Sequence, residues 1–416
     1  MQSYSPLEKI VNDTIKQTIQ TRQFDLNSFV QNMETAFKVL GFREESGSVE
    51  NILILRLDAV GDFILLTPSI RAIRENFPRA YITLVVTKAV YPMAELCPYV
   101  NEVIAFETPY KSSIFNEDLI QILQTAVNFS ERYLLKRHFD LSFTFLADMT
   151  QFIMSYISGA KTRVGIGNDI WQRQILSEFG RYLLTNPIHV DHSKVVHWCE
   201  VNLYILRAYG LKIKSADLEV WYNSEDLRLA KNLLKDFASN RIKISMSVGA
   251  NYGARKYPVE KYVVAFREII SKGGAVIILG GASELAEAKF LEDNLPKEFV
   301  KNLVEVRAGW RVDSAVISLT DIYVGNMTGA CDVAAALKKP VVTMTRDSKD
   351  HTKIMGNYCA HIRFAPYGTK YIMLMPEHPI GDCAKDIRNS CISNKPHCIA
   401  QIEPFEIVNA YEKMLR

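Results

Sequence analysis

The stretch Asn51-Ile52-Leu53-Ile54-Leu55-Arg56-Leu57-Asp58-Ala59-Val60-Gly61-Asp62-Phe63-Ile64-Leu65-Leu66 decides the fold. Its apolar run 52–55 has strand length and ends in a glycine turn that feeds a helical run reaching Arg71. A strand passing through a glycine turn into a helix is the unit of an α/β sheet, and ligands of open parallel sheets bind beyond the carboxyl ends of the strands. Gly61 lets a substrate approach the backbone. Asp62, at the expected helix start, is favoured as an anion by the partial positive charge there. That makes it the candidate general base, although as an isolated residue it reads first as an ordinary helix cap.

Outward from this unit, short apolar runs at 52–55, 82–86, 103–106, 141–145 and 162–165 alternate with helical stretches, the pattern of a mostly parallel sheet covered by helices. A second α/β unit follows Leu218-Glu219-Val220-Trp221, with strands expected at 242–248 and 275–279. At the other end, Leu7, Ile10, Val11, Ile15 and Ile19, then Leu26, Phe29, Val30, Met33, Phe37 and Leu40, recur at helical spacing before Gly41, a C-cap residue. Glu44-Glu45-Ser46-Gly47-Ser48 reads as a linker. These two amphipathic helices form an appendage, either a layer packed on the first domain or a face for homo-oligomerisation or a partner. The expected division is an N-terminal helical appendage at 1–45, a first Rossmann-like domain at 50–218, a second at 219–403 and a C-terminal helix at 404–416.

With 416 residues, 48% of them hydrophobic, the chain can bury two cores. Lys and Arg total 49 against 46 for Asp and Glu, a net charge of +3 that gives no nucleic-acid footprint. No apolar run approaches the roughly 18 residues of a membrane span, and Met1-Gln2-Ser3-Tyr4-Ser5 has no signal-peptide pattern. The expectation is a cytoplasmic protein, at most peripheral at the inner face of the membrane. Seven cysteines without an export signal read as reduced thiols.

From Asn51 to Val86, with Arg71, Arg74, Phe77-Pro78 and the run Ile82-Thr83-Leu84-Val85-Val86, the chain resembles the opening βαβ unit of the family 9 glycosyltransferases, the ADP-heptose:lipopolysaccharide heptosyltransferases and their relatives. The resemblance implies that Asp62 is the catalytic base, with Gly61 and Arg71 on the acceptor side. Ser158-Gly159-Ala160-Lys161-Thr162-Arg163-Val164-Gly165 resembles the family's sheet-closing strand, and His192-Ser193-Lys194-Val195-Val196-His197 the start of its next helix. His192 by itself reads as a surface residue or as a functional one.

In the second half, Gly249-Ala250-Asn251-Tyr252-Gly253-Ala254-Arg255-Lys256-Tyr257-Pro258 follows a strand and opens a helix. A glycine-containing loop at a helix start offers free backbone N–H groups, which suit an anion. The loop resembles the family's nucleotide-binding loop, which implies that Asn251 and Lys256 contact the donor; Tyr257 replaces the usual Trp. Gly280-Gly281-Ala282-Ser283-Glu284 reads either as a tight turn or as a nucleotide contact. Asn326-Met327-Thr328-Gly329-Ala330-Cys331-Asp332 resembles the family's Asp-Thr-Gly-x-x-His donor loop, so Asn326, Thr328, Gly329 and Asp332 are candidate donor contacts. Met327 stands where the family has Asp and Asp332 where it has His. A sugar-hydroxyl acceptor is thereby lost, and a carboxylate is set near the expected phosphates, which costs free energy unless a cation or a hydrogen bond intervenes.

The resemblance implies a GT-B architecture, two Rossmann-like domains facing across a cleft, with the C-terminal helix crossing back to the first. It implies an inverting transfer of a sugar, heptose above all, from a nucleoside-diphosphate donor such as ADP-heptose to a hydroxyl of a glycan, lipid-linked or protein acceptor, with no cofactor required. Met327 and Asp332 favour the alternative of a catalytically weak or inactive sugar-nucleotide-binding or assembly protein of the same fold. Cys359, Cys383, Cys391 and Cys398, with His397, are spaced more loosely than a zinc ribbon, so packing thiols are preferred to a metal site.

Overall fold

The structure is a computed structural model. It describes residues 48–107, 118–168, 183–250, 253–380 and 395–416, with Lys9, Ile10, Asp13, Gln17, Gln31 and Asn32 in helical conformation. The rest of the expected N-terminal helix pair lies outside the described residues, as do Asn251, Cys383 and Cys391.

The chain divides into two compact units, one of residues 1–58, 69–191 and 201–214, the other of 59–68, 192–200 and 215–416. The first holds strands β1 (Asn51–Arg56), β2 (Tyr81–Thr87), β3 (Glu102–Phe106), β4 (Leu141–Thr144), β5 (Thr162–Ile166) and β6 (Asn186–Ile188) in one sheet of order β3-β2-β1-β4-β5-β6. All its pairings are parallel; Ile54 of β1 lies opposite Leu84 of β2 and Phe143 of β4. The central strand β1 reads as an unbroken apolar run because both of its faces are buried: Ile52, Leu53, Ile54 and Leu55 are wholly inaccessible.

The second unit repeats the plan with β7 (Ile242–Ser247), β8 (Gly274–Leu279), β9 (Val300–Asn302), β10 (Ile322–Asn326), β11 (Val341–Met344) and β12 (Tyr371–Leu374), in the order β12-β11-β10-β7-β8-β9 and again parallel throughout. Counted from its own first strand, each sheet has the dinucleotide-fold order 3-2-1-4-5-6. The strand order reverses between β1 and β4 in one sheet and between β7 and β10 in the other.

Two expectations change. The C-terminal helix, Pro404–Leu415, belongs to the second unit, whereas the resemblance implied that it crosses back to the first. Its Ile407, Val408, Ala410 and Tyr411 form one apolar stripe that joins the core of the second sheet with Phe266 and Met344, and burial of that stripe fixes where the helix lies. The second change concerns the run after Gly61. It forms two helices, Val60–Ile64 and Thr67–Asn76, because Pro68 has no N–H to continue the ladder and Thr67 Oγ1 takes the Ile64 carbonyl at 2.8 Å.

Candidate functional site

Asp62 is the third residue of helix Val60–Ile64, half-buried, and the cap of that helix is Ala59. The loop leading to it is set in the first unit by Arg56, which is fully buried and pairs through Nε with Asp58 Oδ1 at 2.8 Å. Arg56 Nη1 also donates to Phe145 O, just beyond β4, at 3.3 Å, and Thr87 Oγ1 donates to Asp58 O at 3.1 Å. Arg71 is half-buried on helix Thr67–Asn76 in the first unit.

In the second unit, Asn326 ends β10 and is fully buried. Its amide nitrogen donates to Val248 O at 2.8 Å and Gly249 O at 3.1 Å, and its amide oxygen accepts from Tyr257 N at 3.2 Å and Tyr262 Oη at 3.0 Å. Two donors and two lone pairs exhaust a carboxamide. Asn326 therefore braces the loop after β7 and leaves no side-chain valence for a donor molecule. Thr328 caps helix Gly329–Ala336 without a side-chain bond to it, and the first N–H groups of that helix have no partner within it.

Lys256 Nζ lies 3.1 Å from Glu287 Oε1 and 3.8 Å from Glu284 Oε1. Glu284 is itself nearly buried, accepts from Gly281 N at 2.9 Å and Ser283 Oγ at 2.7 Å, and packs so closely on Gly249 that a Cβ there would collide with its carboxyl group. The turn 280–284 is thus a capped turn anchored by Glu284. The spacing from Gly281 to Glu284 signals that cap, but neither glutamate announces its contact with a lysine some thirty residues upstream. Tyr257 keeps the aromatic role: it is buried edge-on against Tyr262 at 4.8 Å and donates its hydroxyl to Ile402 O at 2.9 Å.

A shallow surface depression is lined by Arg255, Met327, Arg346 and Asp347 among others. Burial pushes the Asp347 carboxyl up, but hydrogen bonds and charge from His361, with Arg346, hold it below the usual carboxylate range. Its Oδ2 accepts from His361 N at 3.2 Å and faces His361 Nδ1 at 3.1 Å. A carboxylate thus lines the same depression as Met327; nothing in the local sequence pattern singles Asp347 out.

Asp332, on the first turn of helix Gly329–Ala336, faces helix Val60–Ile64. Burial and the Asp62 charge hold its carboxyl well above the usual range. This environment disfavours the charged form of Asp332, the form in which it was expected to oppose a donor diphosphate.

His192 is buried, with its ring parallel to Trp198 at 6.5 Å and its carbonyl accepting from Arg363 Nη2 at 3.4 Å, so it braces the segment 192–200. Cys398 Sγ accepts from Ile380 N at 3.3 Å, and Cys359 Sγ donates to His351 O at 3.7 Å. Among the described residues no group of three His, Cys, Asp or Glu side chains is placed to hold a metal ion, and no helix among them is long and apolar enough to cross a membrane.

Two parallel sheets of this strand order on one chain define a GT-B fold. The solved structures agree. A family 9 glycosyl transferase from Veillonella parvula superposes with a TM-score of 0.66 at 16% identity, covering 88% of this chain and 97% of that one. The E. coli ADP-heptose lipopolysaccharide heptosyltransferase II does so at 0.64 and 17%, covering 88% and 98%. The chain is 23% identical over 305 residues to lipopolysaccharide heptosyltransferase 2 of Salmonella typhimurium, which spans 70% of this chain and 82% of that protein. The model of glycosyltransferase family 9 (heptosyltransferase) matches residues 142–377, and the chain belongs to that family. It is a glycosyltransferase enzyme with heptosyltransferase-like activity.

Proposed function

We propose that this enzyme transfers heptose from ADP-heptose to a hydroxyl of a lipopolysaccharide-type glycan with inversion at the anomeric carbon. Asp62 removes the proton of the acceptor hydroxyl as the oxygen attacks, and a single displacement assisted by one base inverts the centre. Lys256 and the open N–H groups of helix Gly329–Ala336 stabilise the departing diphosphate, a task for oriented dipoles and a point charge. Lys256 exchanges its contact with Glu287 for a phosphate oxygen, while Asp347 accepts from a sugar hydroxyl in place of the carboxylate that Met327 removes. The observation that carries the reading is the packing of helix Val60–Ile64, with Asp62, against the first turn of helix Gly329–Ala336. The names of the relatives support donor and acceptor alike.

The test is release of ADP from ADP-heptose on addition of lipid A–core acceptor. Turnover supports the reading, and turnover with another nucleoside-diphosphate sugar in preference to ADP-heptose overturns the donor. Lys256→Ala is expected to weaken ADP binding about tenfold, since the charge acts on the diphosphate in both ground and transition states. Unchanged affinity by calorimetry would remove Lys256 from the donor site.

A further inference from the structure

The carboxyl group of Asp332 is wedged against Gly61. A Cβ on Gly61 would overlap Asp332 Oδ2, with Cγ at 3.4 Å and Gly329 Cα at 3.5 Å, so only a glycine leaves the carboxyl its place. The next residue along that short helix is Asp62. Two carboxyl groups on facing first turns do not both ionise at low cost.

We propose that Asp62 and Asp332 form a carboxyl pair sharing one proton, in which Asp332 carries the proton and donates its O–H to the donor's diphosphate while Asp62 remains the base. The proposal rests on the reading of Asp62 as base. A neutral carboxyl donates to a phosphate oxygen where a carboxylate would repel it. In the transfer, the acceptor proton passes to the Asp62 carboxylate and the acceptor oxygen bonds to the anomeric carbon. The bond from that carbon to the phosphate oxygen breaks with its electron pair on the diphosphate, while the Asp332 proton stays on Asp332 and bonds the leaving oxygen.

The titratable and charged groups around Asp332 agree with the assignment. Helix Val60–Ile64 brings Asp62, its own helix Cys331, and β10 Tyr323; none is a cation. Helix Trp310–Ser318 brings Asp313 and Arg311, whose Nε is 3.1 Å from Asp226 Oδ2. Lys243 is the charged residue of β7, and β11 has none. Burial and the Asp62 charge together raise Asp332. The pair titrates as a unit: one further proton silences the base, and loss of the shared proton leaves two charges facing the diphosphate.

Calorimetric ADP affinity across pH, with infrared detection of protonated carboxyl groups in the ligand-free protein, tests this. Wild type is expected to lose ADP affinity by about tenfold or more on the alkaline side. Asp332→Asn, a neutral donor at every pH, should keep its affinity there, and Asp62→Asn should move the loss to lower pH because the neighbouring charge is gone. In an Asp313→Asn background, used because that carboxyl is itself pushed up to about 7, the carboxylic-acid carbonyl band should be present at neutral pH, persist on adding Asp62→Asn and vanish on adding Asp332→Asn. An alkaline loss retained in Asp332→Asn, or an Asp313→Asn spectrum without that band, overturns the pair. A band that behaves as expected in a protein that binds no ADP upholds the pair and removes the donor reading instead.

Discussion

The two sheets solve one topological problem with different chemistry. Where strand order reverses, the loops after the first and fourth strands part, and a side chain must tie their backbones together. In the first sheet the tie runs from the end of β1 to Phe145 O beyond β4 and is the buried guanidinium of Arg56, which needs the Asp58 carboxylate beside it. In the second it runs from the end of β10 to Val248 O and Gly249 O beyond β7 and is the neutral amide of Asn326, whose four hydrogen-bonding positions are filled without any ion. A charged tie brings a desolvation cost and depends on its partner; an amide brings neither but depends on the orientation of every bond.

Breaking the charged tie should have the larger effect. Arg56→Leu leaves Asp58 buried without its cation and is expected to destabilise the first unit by about 3–5 kcal/mol, read as a lower urea midpoint. Asn326→Asp keeps the shape but turns both donors into acceptors facing two carbonyls, for an expected loss of about 2–3 kcal/mol in the second unit. If the units unfold as separate transitions, each variant should lower its own and spare the other; a common shift would show that the two ties are not independent.

A smaller effect sharpens the contrast between paired and unpaired carboxylates. Asp313, half-buried in the first turn of helix Trp310–Ser318, is pushed up to about 7 by burial, where Asp58 has Arg56. A carboxyl raised in the folded state favours folding while protonated, so its contribution is complete below the unfolded value of 3.8 and fades as pH rises towards 7. Asp313→Asn should therefore stabilise the protein by about 1–2 kcal/mol above that window and leave it unchanged below. Thermal unfolding at the two pH extremes checks this, and a stabilisation equal at both would contradict it.

How much the sequence reveals follows from the same physics. Strands β1 and β8 are legible because burial on both faces demands unbroken apolar runs, whereas β4 and β7 intersperse Ser, Thr or Lys and are read from their place between glycine turns and helices. The short edge strand β6, Asn-Pro-Ile, is not, since an edge is free to carry polar residues and a proline. The loops that bear Asp62, Lys256 and Asp332 are legible from glycine turns at strand ends and from their resemblance to the family. What those residues touch is invisible in one dimension: Glu284 and Glu287 beside Lys256, Asp347 in the depression with Met327, and above all Asp332 against Gly61 arise from segments brought together only by folding. Asn326 shows the opposite error, a polar residue in a donor-loop position whose side chain is spent on the fold.

The most direct test of the account is ADP release by Asp62→Asn, measured with ADP affinity at mildly acidic pH, where the Asp332 proton is in place in either protein. The expected result is a fall in turnover of about two orders of magnitude or more with ADP affinity unchanged, because a lost general base raises only the transition state. Turnover at the wild-type rate would contradict the assignment of Asp62 as the base.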